Sequence, residues 1–251
     1  MAKLALITGG SRGLGRAAAE HAAQQGMDVI VTYRTGKKEA EDVVQRIRAS
    51  GRKAAALELD VGKVGTFERF AQSLSVVLRE QFGRTTFDAL VNNAGQGVHA
   101  SFLDTTEAQF DDLLNVHFKG VFFLTQRLLP LMEDGGRILN VSTGLTRFSF
   151  PGYSAYAAMK GAVEVLTHYL AKELGERRIS VNTVAPGGVA TDFGGGAVRD
   201  NADLANHIAS ITALGRVGQP DDLGALMATL LSDDTRWLNS QRIEATGGMF
   251  V

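Results

Sequence analysis

Tyr156 and Lys160 stand four residues apart in YSAYAAMKG, Tyr153 to Gly161, a stretch whose composition favours a helix. That spacing stacks both side chains on one helical face. An isolated phenol loses its proton at a pKa of roughly 10, so bringing it to neutrality takes about 4 kcal/mol of differential stabilisation. An ammonium about 4 Å away supplies that much at an effective dielectric of about 20. The pair is therefore expected to exchange a proton with an oxygen near pH 7, provided a neighbouring group delivers two electrons as hydride. Taken alone, the pair is weak evidence, and an amphipathic surface with a snorkelling lysine is the better reading of it. The surrounding motifs decide between the two.

The elements that must position this pair alternate along the chain. Strand-like apolar runs lie at Leu4 to Ile7, Val29 to Tyr33, Ala54 to Leu59, Phe87 to Val91, Arg137 to Val141, Ile179 to Val184 and Arg242 to Ala245. Between them lie segments rich in Ala, Leu, Glu, Gln and Arg, each long enough for a crossover helix. The alternation predicts an α/β, Rossmann-type doubly wound fold with a seven-stranded, mainly parallel sheet and helices on both faces. Without repeats, low-complexity tracts or a linker, residues 1–251 read as one domain. The prolines mark breaks: Pro151 before the Tyr-Lys helix, Pro186 after the sixth strand, Pro220 opening a late helix and Pro130 near a helix end.

The first strand runs into TGGSRGLG, Thr8 to Gly15, and then into a helical stretch. Here Gly9, Ser11, Arg12, Gly13, Leu14 and Gly15 form a glycine-rich turn that brings backbone close to a pyrophosphate and aims N–H groups at it. The second strand ends in Tyr33 and Arg34 where an acidic ribose hook would stand. Arg12 and Arg34 can converge on an adenosine 2′-phosphate, which points to NADP(H) over NAD(H); a solvated helix start at Arg34, Lys37 and Lys38 is the alternative. Asp60, beside Val61, suits an adenine amino group or a helix cap. In VNNAGQG, Asn92 is expected to satisfy backbone between strands, whereas Asn93, Ala94 and Gly95 face the cofactor.

A helical stretch from Glu107 to about Leu129 carries Asn115, whose amide either orients a water reaching Lys160 or packs against backbone; His117 and Lys119 read as surface groups. Ser142 and Thr143 end the fifth strand beside the crevice, where a hydroxyl can hold a substrate oxygen. Leu145 to Tyr153, with Arg147, Phe148, Phe150 and Tyr153, then forms an aromatic wall to the substrate or part of the core.

Composition narrows the classes. The balance of 26 basic and 27 acidic residues, a formal charge of −1, carries neither a nucleic-acid nor a polybasic membrane footprint. The chain has no cysteine, hence no disulfide, thiolate nucleophile or zinc-thiolate site, and its five histidines lack metal-ligand spacing. The apolar run at Leu4 to Ile7 is too short for a signal peptide, and nothing reaches membrane-spanning length, so a cytoplasmic enzyme is expected.

Together these motifs resemble the short-chain dehydrogenases/reductases, particularly the branch similar to 3-oxoacyl-[acyl-carrier-protein] reductases. TGGSRGLG, NNAG, the Asn115 phrase, the hydroxyl turn, YAAMK and APGGVATD, Ala185 to Asp192, stand in family order across almost the whole chain. The resemblance implies Tyr156 as proton donor, Lys160 binding the nicotinamide ribose and depressing the tyrosine pKa, and Asn115 holding a relay water. It also implies cofactor contacts from Pro186, Gly187, Val189 and Thr191, the last two at the carboxamide. The family usually has serine thirteen residues before the tyrosine; here that place is Thr143, with Ser142 one residue earlier as understudy. Thr191 to Ala209, with three successive glycines, resembles a substrate-covering lid and is expected to be poorly ordered without ligand. The resemblance also implies a homotetramer acting on a small-molecule carbonyl or alcohol with NADP(H). A catalytically silent dinucleotide sensor or scaffold and an NAD-linked alcohol or sugar dehydrogenase are the alternatives.

Overall fold

The computed structural model describes residues 2–251. Seven strands form one sheet: β1 (Leu4–Ile7), β2 (Asp28–Tyr33), β3 (Ala54–Glu58), β4 (Phe87–Asn92), β5 (Met132–Val141), β6 (Ser180–Pro186) and β7 (Arg242–Ala245). Their order is β3-β2-β1-β4-β5-β6-β7, and every pairing is parallel. Parallel neighbours require crossovers, which the helices α1 (Gly13–Gln24), α2 (Lys37–Ala49), α3 (Phe67–Val77), α4 (Glu107–Leu114), α5 (Gly120–Leu128), α6 (Ser154–Glu173), α7 (Ala197–Asp200), α8 (Ala202–Ser210) and α9 (Pro220–Leu231) help to supply. The strand order reverses between β1 and β4, and such a switch point opens a crevice at the carboxyl ends of the strands.

Both faces of the sheet are buried, which is why its strands read as continuous apolar runs rather than alternating ones. Ala18, Ala22, Val29, Val31, Leu223 and Met227 belong to the core beneath α1, α2 and α9; Leu6, Ile30, Phe67, Leu74, Leu90 and Leu124 belong to the opposite one. Two expectations need correction. Pro186 is the last residue of β6, paired with Ala245, rather than lying beyond the strand. The stretch from Glu107 to Leu129 is not one regular helix. Thr106 and Gln109 cap α4 reciprocally, at 3.2 and 3.0 Å, but Asn115–Lys119 form a wide π turn before α5. There the Gly120 N–H reaches back five residues to the Asn115 carbonyl. One extra residue per turn changes which side chains face the crevice.

Candidate active site

A cavity of about 850 Å³ runs along the carboxyl ends of the strands, from Arg12, Tyr33 and Arg34 at one end to Tyr156 and Lys160 at the other. Of the residues singled out in the sequence for catalysis or cofactor binding, all line it except Gly15 and Asn115.

Gly15 acts by close approach instead. A Cβ there would lie 2.3 Å from the Gly9 carbonyl oxygen and 2.4 Å from Asn93 Nδ2, so its glycine lets α1 press against the turn and β4. Asn93 secures that junction by donating to the Thr8 and Gly9 carbonyls at 2.8 and 3.2 Å. Asn92, expected to serve backbone, instead donates to Thr125 Oγ1 and Asn140 Oδ1, at 3.1 and 2.8 Å. Asp60 caps no helix, the next one opening at Val64 without a side-chain cap; its Oδ1 accepts from the Gly62 N–H at 3.0 Å within the preceding turn, and the residue lines the cavity.

At the amino end of α1, Arg12 provides no side-chain cap and the first turn contains no acidic residue. The first N–H groups of a helix lack intrahelical partners, so this end offers donors and a positive dipole to an anion. Gly9, at φ 64°, brings the turn against Ala94, where a Cβ would lie only 2.8 Å from the Ala94 Cα. Arg12 and Arg34 stand exposed along the same cavity. These features fit a dinucleotide, with the pyrophosphate at the helix end and further negative charge at the two guanidinium groups.

At the inner end, Tyr156 and Lys160 lie on α6, both buried. Lys160 Nζ sits 5.8 Å from the centre of the tyrosine ring and donates to the Val141 carbonyl at 2.7 Å. Burial pushes the ammonium down to about 8 and the phenol above its ordinary value. This corrects the expectation of a phenol brought to neutrality by its neighbour. Spacing revealed the attraction but not the larger cost of removing a tyrosinate from water. A hydrogen bond from Thr143 opposes that rise, and Tyr153 adds to it.

The two hydroxyls ending β5 have separate surroundings. Ser142 donates to Glu164 Oε1 at 2.6 Å, within a network joined by Thr146 and Arg242, both at 2.8 Å from the same oxygen. Thr143 faces Tyr156. Phe148, Phe150 and Tyr153 line the cavity as expected, but Arg147 does not; it pairs with Glu244 at 3.3 Å and donates to the Met249 carbonyl at 2.6 Å. Thr191 to Ala209 folds beside the cavity, Gly194 to Gly196 taking positive φ, and Phe193 packs 5.5 Å from the Tyr156 ring.

The largest departure concerns the π turn. Asn115 is half-buried and outside the cavity, whereas His117, expected at the surface, is fully buried and lines it. Lys119 is exposed as expected. The His117 ring meets Tyr156 edge-on at 5.0 Å, and burial, then the nearby Lys160 charge, push its pKa down to about 3. A polar residue two positions beyond Asn115 was the available signal, but a regular helix gave no reason to turn it inward.

The family model described as enoyl-(acyl carrier protein) reductase matches residues 9–250. The 3-oxoacyl-[acyl-carrier-protein] reductase FabG of Staphylococcus aureus is 35% identical over 256 residues, spanning 100% of this chain and 99% of its own. The chain is a short-chain dehydrogenase/reductase. It thus belongs to an oxidoreductase family, and its solved relatives share the fold closely. The promiscuous reductase LugOII, which catalyses keto-reduction at C1 during lugdunomycin biosynthesis, superposes with a TM-score of 0.94 at 39% identity, over 99% of this chain and 98% of that one. The landomycin C-6 ketoreductase LanV with bound NADP and rabelomycin gives 0.90 at 38% identity, over 99% and 96%. No helix among the described residues of this short-chain dehydrogenase/reductase is long and apolar enough to cross a membrane, and no group of three or more acidic, cysteine or histidine residues there is arranged to hold a metal ion.

Proposed function

We propose that the protein reduces the carbonyl group of a small molecule with NADPH, Tyr156 serving as the acid. The observation that carries this reading is the buried phenol of Tyr156, with Thr143 beside it, at the inner end of a cavity whose other end suits phosphate. When bound, NADPH supplies the hydride. Gly9, Ser11 and Gly13 to Leu14 hold its pyrophosphate, Arg12 and Arg34 its 2′-phosphate, and Val189 and Thr191 its carboxamide. Lys160 binds the nicotinamide ribose. Structures of relatives with NADP bound support this choice of cofactor.

Thr143 donates to the substrate oxygen and Tyr156 gives it a proton as negative charge develops there. The raised phenol pKa suits this direction, because the group holds its proton throughout neutral pH.

Phe148, Phe150, Tyr153 and Phe193 give the cavity an aromatic lining. Flat rings gain from stacking and edge contacts on such walls, so the substrate class is a ketone carried on fused aromatic rings. The names of LugOII and LanV, which describe keto-reduction, support a ketone as the group reduced. The test is NADPH oxidation across polycyclic aromatic ketones, aliphatic ketones and a 3-oxoacyl thioester, with the aromatic ketones turned over best. Absence of oxidation with every carbonyl compound contradicts the reading. A single-domain homotetramer belongs to the same proposal, and sedimentation of the purified protein checks it.

A further inference from the structure

Glu164, on α6, and Arg242, on β7, lie outside the cavity, yet together they hold the turn that follows Thr143. Both side chains are mostly withdrawn from solvent. One oxygen of Glu164 collects three donors: the hydroxyls of Ser142 and Thr146, at 2.6 and 2.8 Å, and Arg242 Nε, at 2.8 Å. Two carboxylates aim the guanidinium, Glu164 at Nε and Glu244 at Nη1. The remaining nitrogen, Nη2, donates to the Thr143 carbonyl at 3.1 Å and to Thr146 Oγ1 at 2.9 Å. Ion pairing alone accounts for Nε and Nη1, but not for Nη2.

Counting hydrogens shows what that nitrogen does. Thr146 Oγ1 lies 2.8 Å from Glu164 Oε1 and 3.1 Å from the Thr143 carbonyl, and has one hydrogen to give. The shorter contact is to the charged acceptor, so the hydrogen goes there. The Thr146 backbone N–H reaches the Thr143 carbonyl only at 3.5 Å. Arg242 is thus the main donor to that carbonyl. Thr143 leads the chain out of β5 in an extended conformation, φ −161° and ψ 152°, into the tight turn Gly144–Thr146. Fixing its carbonyl fixes ψ, and with it the Leu145 N–H that donates to Thr143 Oγ1 at 3.3 Å. The stiff χ1 of a β-branched residue passes the constraint on to the hydroxyl. We infer that Arg242 is a positioning residue for the reduction: its Nη2 holds the Thr143 carbonyl and so aims the Thr143 hydroxyl at the substrate oxygen. Glu164 completes the device by orienting the guanidinium and taking the Ser142 hydrogen, so that of two adjacent hydroxyls Thr143 keeps its hydrogen for substrate. The inference rests on the catalytic reading above.

A double-mutant cycle and one spectrum test it. Arg242→Met keeps the length of the side chain without its donors, and should lower kcat about tenfold or more, the scale of misplacing a reacting group, with NADPH affinity unchanged. In a Thr143→Val background the same substitution should change kcat by less than about twofold, because the group that Arg242 positions is already gone. Arg242→Lys keeps a charge between Glu164 and Glu244 but not the fork. It should show the same dependence on Thr143 with a smaller loss, and it serves where methionine unfolds the protein. Losses of equal size in both backgrounds are those of a general structural role and overturn the inference, as does an Arg242→Met enzyme with unchanged kcat. The second measurement needs neither cofactor nor substrate. The carbonyl carbon resonance of Thr143, observed by NMR in the free protein, should move upfield in Arg242→Met, and to a smaller degree in Arg242→Lys, as its charged donor is lost. A resonance that stays in place contradicts the inference. Wild type that oxidises NADPH with no carbonyl compound contradicts the reductase reading itself; the resonance reports the contact between Arg242 and Thr143 apart from turnover, so the two failures are distinguishable.

Discussion

The Ser142 hydroxyl donates its hydrogen to the Glu164 carboxylate at 2.6 Å, and a hydroxyl proton given to a carboxylate is not available to a substrate oxygen. Adjacent Thr143 lines the cavity beside Tyr156, and its Oγ1 accepts from the Leu145 N–H at 3.3 Å, which leaves its own hydrogen to give. Thr143→Val should therefore reduce kcat/KM about a hundredfold, the scale of losing one oxyanion donor. Ser142→Ala should cost only a few-fold, because Thr146 and Arg242 still hold Glu164. Steady-state kinetics on the two variants decide the assignment; a larger loss in Ser142→Ala would transfer the role.

The glycine at position 15 is set by contact rather than by φ. Gly15→Ala places a methyl 2.3 Å from the Gly9 carbonyl oxygen, an overlap with backbone that no rotamer relieves. The helix and turn must separate, which should destabilise the fold by about 1–3 kcal/mol and weaken NADPH binding together. Thermal unfolding with and without NADPH measures both effects, and an unperturbed melting temperature with full affinity contradicts the packing argument.

Arg12 and Arg34 share the cavity end assigned to the 2′-phosphate, along with the carboxylate of Glu39. Removing either guanidinium should weaken NADPH by roughly tenfold or more, the equivalent of one hydrogen bond to a charged group. NADH affinity should hardly change. Titration of both nucleotides into wild type, Arg12→Ala and Arg34→Ala checks this; equal losses for NADH and NADPH contradict a phosphate-specific role.

The buried His117 makes a prediction about stability. Its folded pKa is about 3 against an ordinary 6.5. Between these values the unfolded chain binds a proton that the folded protein does not. Stability attributable to this group is thus present above pH 6.5 and lost as pH falls toward 3, at up to about 1.4 kcal/mol per pH unit. Denaturant unfolding between pH 7 and pH 4 should consequently be less steep in pH for His117→Asn than for wild type. Identical slopes would mean that the ring protonates without unfolding.

Much of this arrangement is legible in the chain, and the limits follow from physics. The strands announce themselves because a parallel sheet covered on both faces requires unbroken apolar runs, and the crevice follows from its strand order. TGGSRGLG and the Tyr156–Lys160 spacing are local, so sequence suffices for them. The inward turn of His117 is hidden because 3.6-residue periodicity misplaces everything after the π turn at Asn115. Glu164 and Arg242, which fix Ser142, meet across 78 residues of chain. The phenol's pKa is misjudged for a different reason: spacing reveals a nearby charge, but the loss of solvent around Tyr156 emerges only when the sheet, the π turn and Phe193 close upon it.

Single-turnover hydride transfer by Tyr156→Phe, measured at saturating NADPH with a polycyclic aromatic ketone, tests the assignment of the proton donor most directly. The phenylalanine ring preserves the packing against His117 and Phe193 and removes only the hydroxyl. The rate should fall by about 10²- to 10⁴-fold, the contribution of a positioned acid, with NADPH affinity little changed. A variant that transfers hydride as fast as wild type would show that the proton comes from elsewhere.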